Sequence, residues 1–516
     1  MTEAADLILT NAEVHTLAGP ADSVDDGDDQ VHEAVAVRDG AVVRVGDAYE
    51  VDFLAGVDTT VRDLGGAVVL PGFVDAHTHM EQVGQFRLHA DLGAATDRDD
   101  AVERLAAGAR DDREWVLGFG YDESEWPGGD YLTREDLDAV SEARPVAAIR
   151  VDMHTASLNS VALERLDFPD DDVETEGGEP TGVVVEDAVE AVREDFAPDP
   201  AETRELIAAA RDRAHELGVT AVHDMVRDSH APRAYRELDR AGDLGLRVRI
   251  NYWSDHLDAV REVGLRTNHG SDMVRVGGIK SFTDGSLGGR TAKLFEPYAD
   301  GDGTGTWVVD PDEVRAVVEA VDDAGLQTTL HAIGDEAIET ALSAYESTDD
   351  PGAARHRIEH VELATDDQLA RMADAGVVAS VQPNFHRWAE AGGLYDRRLG
   401  DERRQRTNRL ARVVEAGVPL AFGSDVMPFG PLEGVHSAVN APTDAQSLPV
   451  TAALRAYTSG AAYAGFDEDR LGTVESGTAA DFTVLDRSPW EQPDAIRDID
   501  VVATVVAGDL AYDDLS

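Results

Sequence analysis

The chain has 516 residues, 42% of them hydrophobic, which is too long for one small core and too apolar for disorder, so two or more folded units are expected. Its 103 acidic residues against 44 basic ones give a formal net charge of −59. Such a surface repels nucleic acid phosphates and anionic lipid, and neither partner is expected. The absence of cysteine excludes disulfides, cysteine–zinc sites and a thiol nucleophile.

The charge suggests a protein of very salty cytoplasm, a halophile's, where screening tolerates self-repulsion. Acidic runs such as Asp25-Asp26-Gly27-Asp28-Asp29 and Pro169-Asp170-Asp171-Asp172 read as solvated loops. Only two lysines occur, Lys280 and Lys293, so each is worth attention in a chain that otherwise uses arginine. Met1-Thr2-Glu3-Ala4-Ala5-Asp6 lacks the basic and apolar parts of a signal peptide. No apolar run approaches the ~20 residues of a membrane span, and a cytoplasmic location is expected.

In chain order, residues 6–65 read as short strands. Leu7–Val14 is followed by Ala34–Val45, where Asp39-Gly40 between two β-rich runs signals a hairpin. Next comes Val68-Val69-Leu70-Pro71-Gly72-Phe73-Val74-Asp75-Ala76-His77-Thr78-His79-Met80, an apolar strand ending in two histidines. Residues i and i+2 of a strand share a side, so His77 and His79 present both imidazoles to one point. Residues of about 110–200 hold extra strands (Trp115–Phe119, Val146–Val151), a helix after Thr133 and acidic turns, and read as an inserted subdomain.

Seven further strands are expected: Val219–Asp224, Leu246–Asn251, Val276–Phe282, Gln327–His331, Arg357–His360, Val377–Val381 and Pro419–Asp425. Helical stretches such as Ala201–Leu217 and Asp312–Ala324, the latter opened by Pro311, separate many of them. Eight such units predict an α/β fold, a (β/α)₈ TIM barrel. The C-terminal β-rich segments, Leu471–Glu475, Ala480–Leu485 and Val501–Gly508, answer the N-terminal ones. The expected domains are therefore 1–65 and 469–516, two parts of one small β-sandwich, around a barrel over 66–468.

Barrel active sites lie at the C-terminal ends of the strands. His77 and His79, Lys280, His331, His360 and Asp425 all stand there, each ending an apolar run where an unpartnered polar group is costly. Four imidazoles and a carboxylate suit zinc or a similar divalent ion. Lys280 cannot ligate as an ammonium; one reading of it is a salt bridge to Asp284 or Asp425.

This set resembles the amidohydrolase superfamily and, within it, amidohydrolase family 3, the branch similar to N-substituted formamide deformylase. The residues that carry the resemblance are Pro71–His79, His154-Thr155-Ala156-Ser157-Leu158-Asn159-Ser160, Lys280–Gly288, His331-Ala332-Ile333-Gly334-Asp335, Arg357–His360, Gly423-Ser424-Asp425, and Arg470–Gly477 with Ala480-Asp481. The resemblance implies that carbon dioxide carboxylates Lys280 into an anionic bridge between two metal ions, two Zn²⁺ or else one. His77, His79 and Asp425 would hold the first ion, His331 and His360 the second, about 3.5–4 Å apart. Asp425 would be the catalytic base, passing its proton to a leaving nitrogen. The implied activity is hydrolysis of a non-peptide carbon–nitrogen bond, amide or formamide, of a small molecule, and family members often pair as homodimers. It also directs His154 and Asn159 to the substrate. His223, beside Asp224, is expected to orient substrate or support a ligand, and Asp284 to shape the loop beside Lys280.

Val426-Met427-Pro428 departs from the family's pattern of one small residue before proline, so specificity is not copied from any relative. The competing readings are a non-hydrolytic member of the superfamily, an isomerase or decarboxylase, and a catalytically silent binding protein. Lys280 together with Asp425 favours hydrolysis, since both serve an activated water. An acidic calcium-binding surface protein is disfavoured by the lack of a secretion signal and of a regular acidic loop motif.

Overall fold

A computed structural model describes residues 4–19, 29–151 and 153–515. The acidic residues Asp25, Asp26 and Asp28, and Met1–Glu3 at the terminus, lie outside the described residues. The chain divides into two compact units, one of Met1–His79 with Ala214–Ser516 and one of Met80–Arg213.

The first unit contains a sandwich and a barrel. Leu7–Thr10, Ala34–Arg38, Ala41–Gly46 and Thr60–Asp63 form a four-stranded sheet. A six-stranded sheet combines Glu13–His15, Val31–His32 and Val68–Pro71 with Phe482–Leu485, Val501–Val506 and Asp509–Asp513 from the other end of the chain. Leu7, Leu9, Val35 and Val37 of the first sheet share one core with Val69, Phe482, Val484 and Val505 of the second. Each such side chain, fully buried, contributes about 1.5–3 kcal/mol. The hairpin turn is Asp39-Gly40, with φ of 51° and 71°, the left-handed pair that a two-residue turn between twisted strands requires.

Phe73–Thr78, Val219–Val226, Arg247–Trp253, Val274–Phe282, Gln327–Ala332, Arg357–His360, Val378–Val381 and Leu420–Phe422 make an eight-stranded parallel sheet in sequence order. Beyond the last strand, the Asp425 amide donates to the His77 carbonyl at 2.8 Å and brings the eighth strand back to the first. All eight expected barrel strands are present. One correction concerns the first, which is not continuous. At Gly72 it breaks into Val68–Pro71, a sandwich strand, and Phe73–Thr78, a barrel strand. Helices Pro200–Glu216 and Pro311–Asp323 lie within one residue of expectation, and Asp310 caps the second by accepting from the Asp312 amide.

The second unit is larger than the expected insertion, since Ala90–Asp91 joins its sheet and Arg98–Ala107 packs on it. The sheet order is Val173–Glu176, Glu179–Val185, Thr155–Leu158, Val146–Arg150, Val116–Tyr121 and Ala90–Asp91. Leu117, Phe119, Ala147 and Ile149 pack in one core, while Val116, Tyr121, Val146 and Ala148 pack in another. That division follows from the alternation of side chains across a sheet. Among the described residues no helix is long and apolar enough to cross a membrane.

Candidate metal centre

His77 lies in the first barrel strand, whose six residues are all buried, and His79 stands just beyond its end. Nδ1 of His77 meets Oε2 of Glu359 at 2.5 Å, and Nδ1 of His79 meets the Met225 carbonyl at 3.0 Å. Both partners are acceptors, so each Nδ1 carries a hydrogen and, in the neutral ring, Nε2 keeps a lone pair; at His79 burial disfavours the cation, but Asp425 outweighs it and raises the group, so that its Nε2 takes either a proton or a metal ion toward that carboxylate. Those two nitrogens lie 3.5 Å and 3.3 Å from the same Asp425 Oδ1. Lone pairs converging on a carboxylate oxygen repel unless a cation sits between them. This is the arrangement a divalent ion resolves, and the residues present fit one.

His360 ends the sixth strand. Its Nδ1 is 2.7 Å from Gln382 Oε1, which leaves Nε2 for the site, and its ring lies flat against Phe385. His331, in the fifth strand, uses Nε2 on the Gly285 carbonyl at 3.1 Å and so offers Nδ1 instead. Its ring centroid is 4.5 Å from that of His360, which is 5.1 Å from that of His77. Nitrogens of His77 and His360 and an oxygen of Asp425 all lie within 4.8 Å of one another. His360 and Asp425 hold φ of 74° and 53°, left-handed values uncommon for such residues, and strain of this kind concentrates at functional sites.

Lys280, in the fourth strand, is 2% exposed, and no carboxylate of the described residues comes within 4.0 Å of it. The salt bridge to Asp284 or Asp425 considered from the sequence is therefore not formed. Burial pulls the amine down to about 8, against the opposing pull of Glu359 and Asp425. Burial depresses His77, His331 and His360, and the charge of Lys280 adds to it at each. For Asp425, burial favours the neutral acid, but the protonated forms of His77, His79 and His360, with an N–H of His79 donating to it, outweigh burial and hold the carboxyl below its ordinary range. It is an ionised acceptor.

The four other expected site residues are placed differently from one another. Asn159 is fully buried; its Oδ1 accepts from the amides of Val146 and Ala162, and its Nδ2 donates to the carbonyls of Ser141 and Arg144. Its hydrogen-bonding capacity is spent on backbone, which clasps the strand Val146–Arg150 to the helix Ser160–Arg165. His154 is exposed and lies 3.3 Å from Glu186. His223 lies inside the second strand and not at its end; its Nδ1 accepts from Arg357 at 2.9 Å. Burial, then Arg357 and Arg249, keep it neutral. Asp284 accepts from the amides of Lys293, Ile333 and Gly334, pinning the loop after the fourth strand to the one after the fifth. Burial lifts it to about 7 despite those donors.

Sequence reasoning gave no role to Glu359, Arg357, Gln382 or Asp75. Arg357 Nε donates to Glu359 at 2.6 Å, and Asp75 Oδ1 accepts from the amides of His77 and Ser424 at 3.1 Å, tying the first strand to the loop before Asp425. A signal for two of them was available: Arg357 and Glu359, two apart on one side of a buried strand, are charges with nowhere to go but inward.

The amidohydrolase family profile matches residues 60–512. The chain is 30% identical to the protein LONG AFTER FAR-RED 3 of Arabidopsis thaliana, over 98% of this chain and 92% of that one. It is 26% identical to N-substituted formamide deformylase of Arthrobacter pascens, over 99% of each. A metal-dependent hydrolase from Pyrococcus furiosus, 31% identical, superposes with a TM-score of 0.78 over 94% of this chain and 99% of that one. On the profile match and these likenesses, the chain belongs to the amidohydrolase family.

Proposed function

We propose that this protein, a metal-dependent hydrolase by family, cleaves a non-peptide carbon–nitrogen bond, an amide or formamide, in a small molecule. The observation that carries the reading is the convergence of the His77 and His79 lone pairs on Asp425 Oδ1, with an unpaired buried Lys280 among the same groups. His77, His79 and Asp425 would hold one ion, His331 and His360 a second, with zinc suited to this donor set. Bound there, such ions would supply Lewis acidity toward a carbonyl and toward water.

The remaining chemistry belongs to the chain. Asp425, ionised, accepts a proton from the attacking water and returns it to the departing nitrogen, so that an amine leaves rather than an amide anion. Burial brings Lys280 Nζ down to about 8, which raises the fraction of free amine, the form that is a nucleophile for carbon dioxide. Adding N–H across CO₂ with loss of one proton gives a carbamate, and a cation that repels metal becomes an anion that binds it. Glu359, Gln382 and the Met225 carbonyl keep three imidazoles aimed inward.

Metal per chain, measured for wild type and Lys280→Ala beside an amine-release screen of amides and formamides, tests the reading. About two ions falling to one or none, with amine release by wild type alone, is the expected result. One ion in both proteins would make the site mononuclear and Lys280 no bridge. A fully metallated wild type that releases no amine from any amide would overturn the assignment to carbon–nitrogen hydrolysis.

A further inference from the structure

At the opposite end of the barrel, a small pocket opens among the starts of the second, third and fourth strands, lined by His223, Arg247, Arg249, Asp272, Arg275 and Asp467 with apolar neighbours. Its space is about 10 Å³, the room of one water-sized body. We propose that this pocket binds one small inorganic anion of halide size.

Two residues that line the pocket, His223 and Arg249, carry donors without a partner. His223 Nδ1 accepts from the Arg357 guanidinium, which has no acceptor to offer, so Nε2 must carry the hydrogen. Arg249 is 4% exposed; Nε donates to Asp467 at 2.8 Å and Nη2 lies 2.7 Å from the same carboxylate, while neither Nη1 nor Nη2, both buried, has a hydrogen-bond partner. His223 and Arg249 face each other across adjacent strands in register. Gly465 leaves the gap between them open, since a Cβ there would stand 2.7 Å from His223 Nε2 and 2.7 Å from Arg249 Nε.

The charge balance selects an anion. The Asp467 carboxylate is shared by Arg249, by Arg275 at 3.0 Å and by Arg470 at 3.6 Å. Arg247 is matched separately by Asp481. The remaining acid, Asp272, has a side chain 85% exposed and lies 3.5 Å from Arg275 and 3.7 Å from Arg470, so it offsets part of their charge and not that of Arg249. Two carboxylates, one of them exposed, face three guanidiniums and leave one positive charge in excess, in a chain that is acidic nearly everywhere else. A water could accept from donors of both His223 and Arg249 but would leave that charge unmatched; a halide meets both demands. The pocket also ends a buried chain that runs from His223 through Arg357 and Glu359 to His77.

The test is diffraction from crystals of the full chain grown in bromide, with data collected at the bromine edge. An anomalous peak within hydrogen-bonding reach of Arg249 Nη1 and His223 Nε2 is expected. A water there without anomalous signal, at molar bromide, overturns the proposal. Gly465→Ala, which fills the gap with a methyl group, should abolish the peak and leave metal content unchanged. A peak persisting at those two nitrogens in that variant also counts against the pocket as described. Should the variant not fold, the wild-type map decides alone.

Discussion

Glu359 and His77, 282 positions apart in sequence, meet through Oε2 and Nδ1 at 2.5 Å with both side chains withdrawn from solvent. Arg357 holds the other carboxylate oxygen at 2.6 Å. Burial favours the neutral acid, yet Arg357 and His77 outweigh it and keep Glu359 well below its ordinary range. A buried carboxylate behind a ligating imidazole sets its tautomer and raises its basicity. Glu359→Gln should weaken metal binding about 10–100-fold. It should also destabilise the fold by about 3 kcal/mol, because Arg357 loses its buried counter-charge. Competition with a metal-sensitive dye and a denaturant titration measure the two effects.

Asp425→Asn removes the proton acceptor while keeping the shape. With the substrate identified by the amine-release screen, kcat should fall about 10²–10⁴-fold. Steady-state kinetics on metal-loaded variant and wild type checks this. A variant that retains full kcat would assign the base elsewhere.

Asn159→Ala and His154→Ala should behave differently. Removing the four backbone hydrogen bonds of Asn159, which also caps the helix Ser160–Arg165, should cost about 2 kcal/mol or more. Its folded fraction should keep wild-type KM. His154 is exposed, so its loss should leave the unfolding free energy within about 0.5 kcal/mol of wild type. Any change in KM for His154→Ala would then report a substrate contact.

Gly423→Ala should loosen the metal centre without touching a ligand. A Cβ at 423 would stand 2.4 Å from the His77 amide nitrogen and 2.7 Å from its Cβ, where the eighth strand approaches the first. The strands must part, at a cost of about 1–3 kcal/mol, and His77 moves away from Asp425. Reduced metal affinity together with a lower unfolding midpoint is expected.

His356 makes stability fall in mild acid. It is fully buried, its Nδ1 accepts from the Thr328 amide, and burial lowers it from 6.5 to about 4. The folded chain therefore refuses a proton that the unfolded chain takes up. The contribution of this group is complete above pH 6.5, declines between pH 6.5 and 4, and is constant below. The loss amounts to about 3 kcal/mol. Unfolding free energies of wild type and His356→Asn at about pH 7 and about pH 4.5 should differ in slope, the variant being flatter.

Much of the candidate site is legible in one dimension because its residues stand at or near the ends of apolar strands. Period-two alternation and the cost of burying polar atoms leave such residues little to do there except share a site. His77, His79, Lys280, His331, His360 and Asp425 stand out on that ground alone. The eight strands and the two-ended sandwich follow from the same patterning of β-rich runs and turns. Long-range pairing is invisible to it. That Glu359 belongs to His77, that Gly72 ends one sheet and begins another, and that Asn159 spends itself on its own backbone were settled only when distant segments came together. The tertiary structure also settled which nitrogen each histidine offers, since a tautomer is set by the partner of the other nitrogen. His223 shows the limit most plainly: its place in the sequence suggests a strand end facing substrate, while in the fold it sits inside the barrel between Arg357 and Arg249.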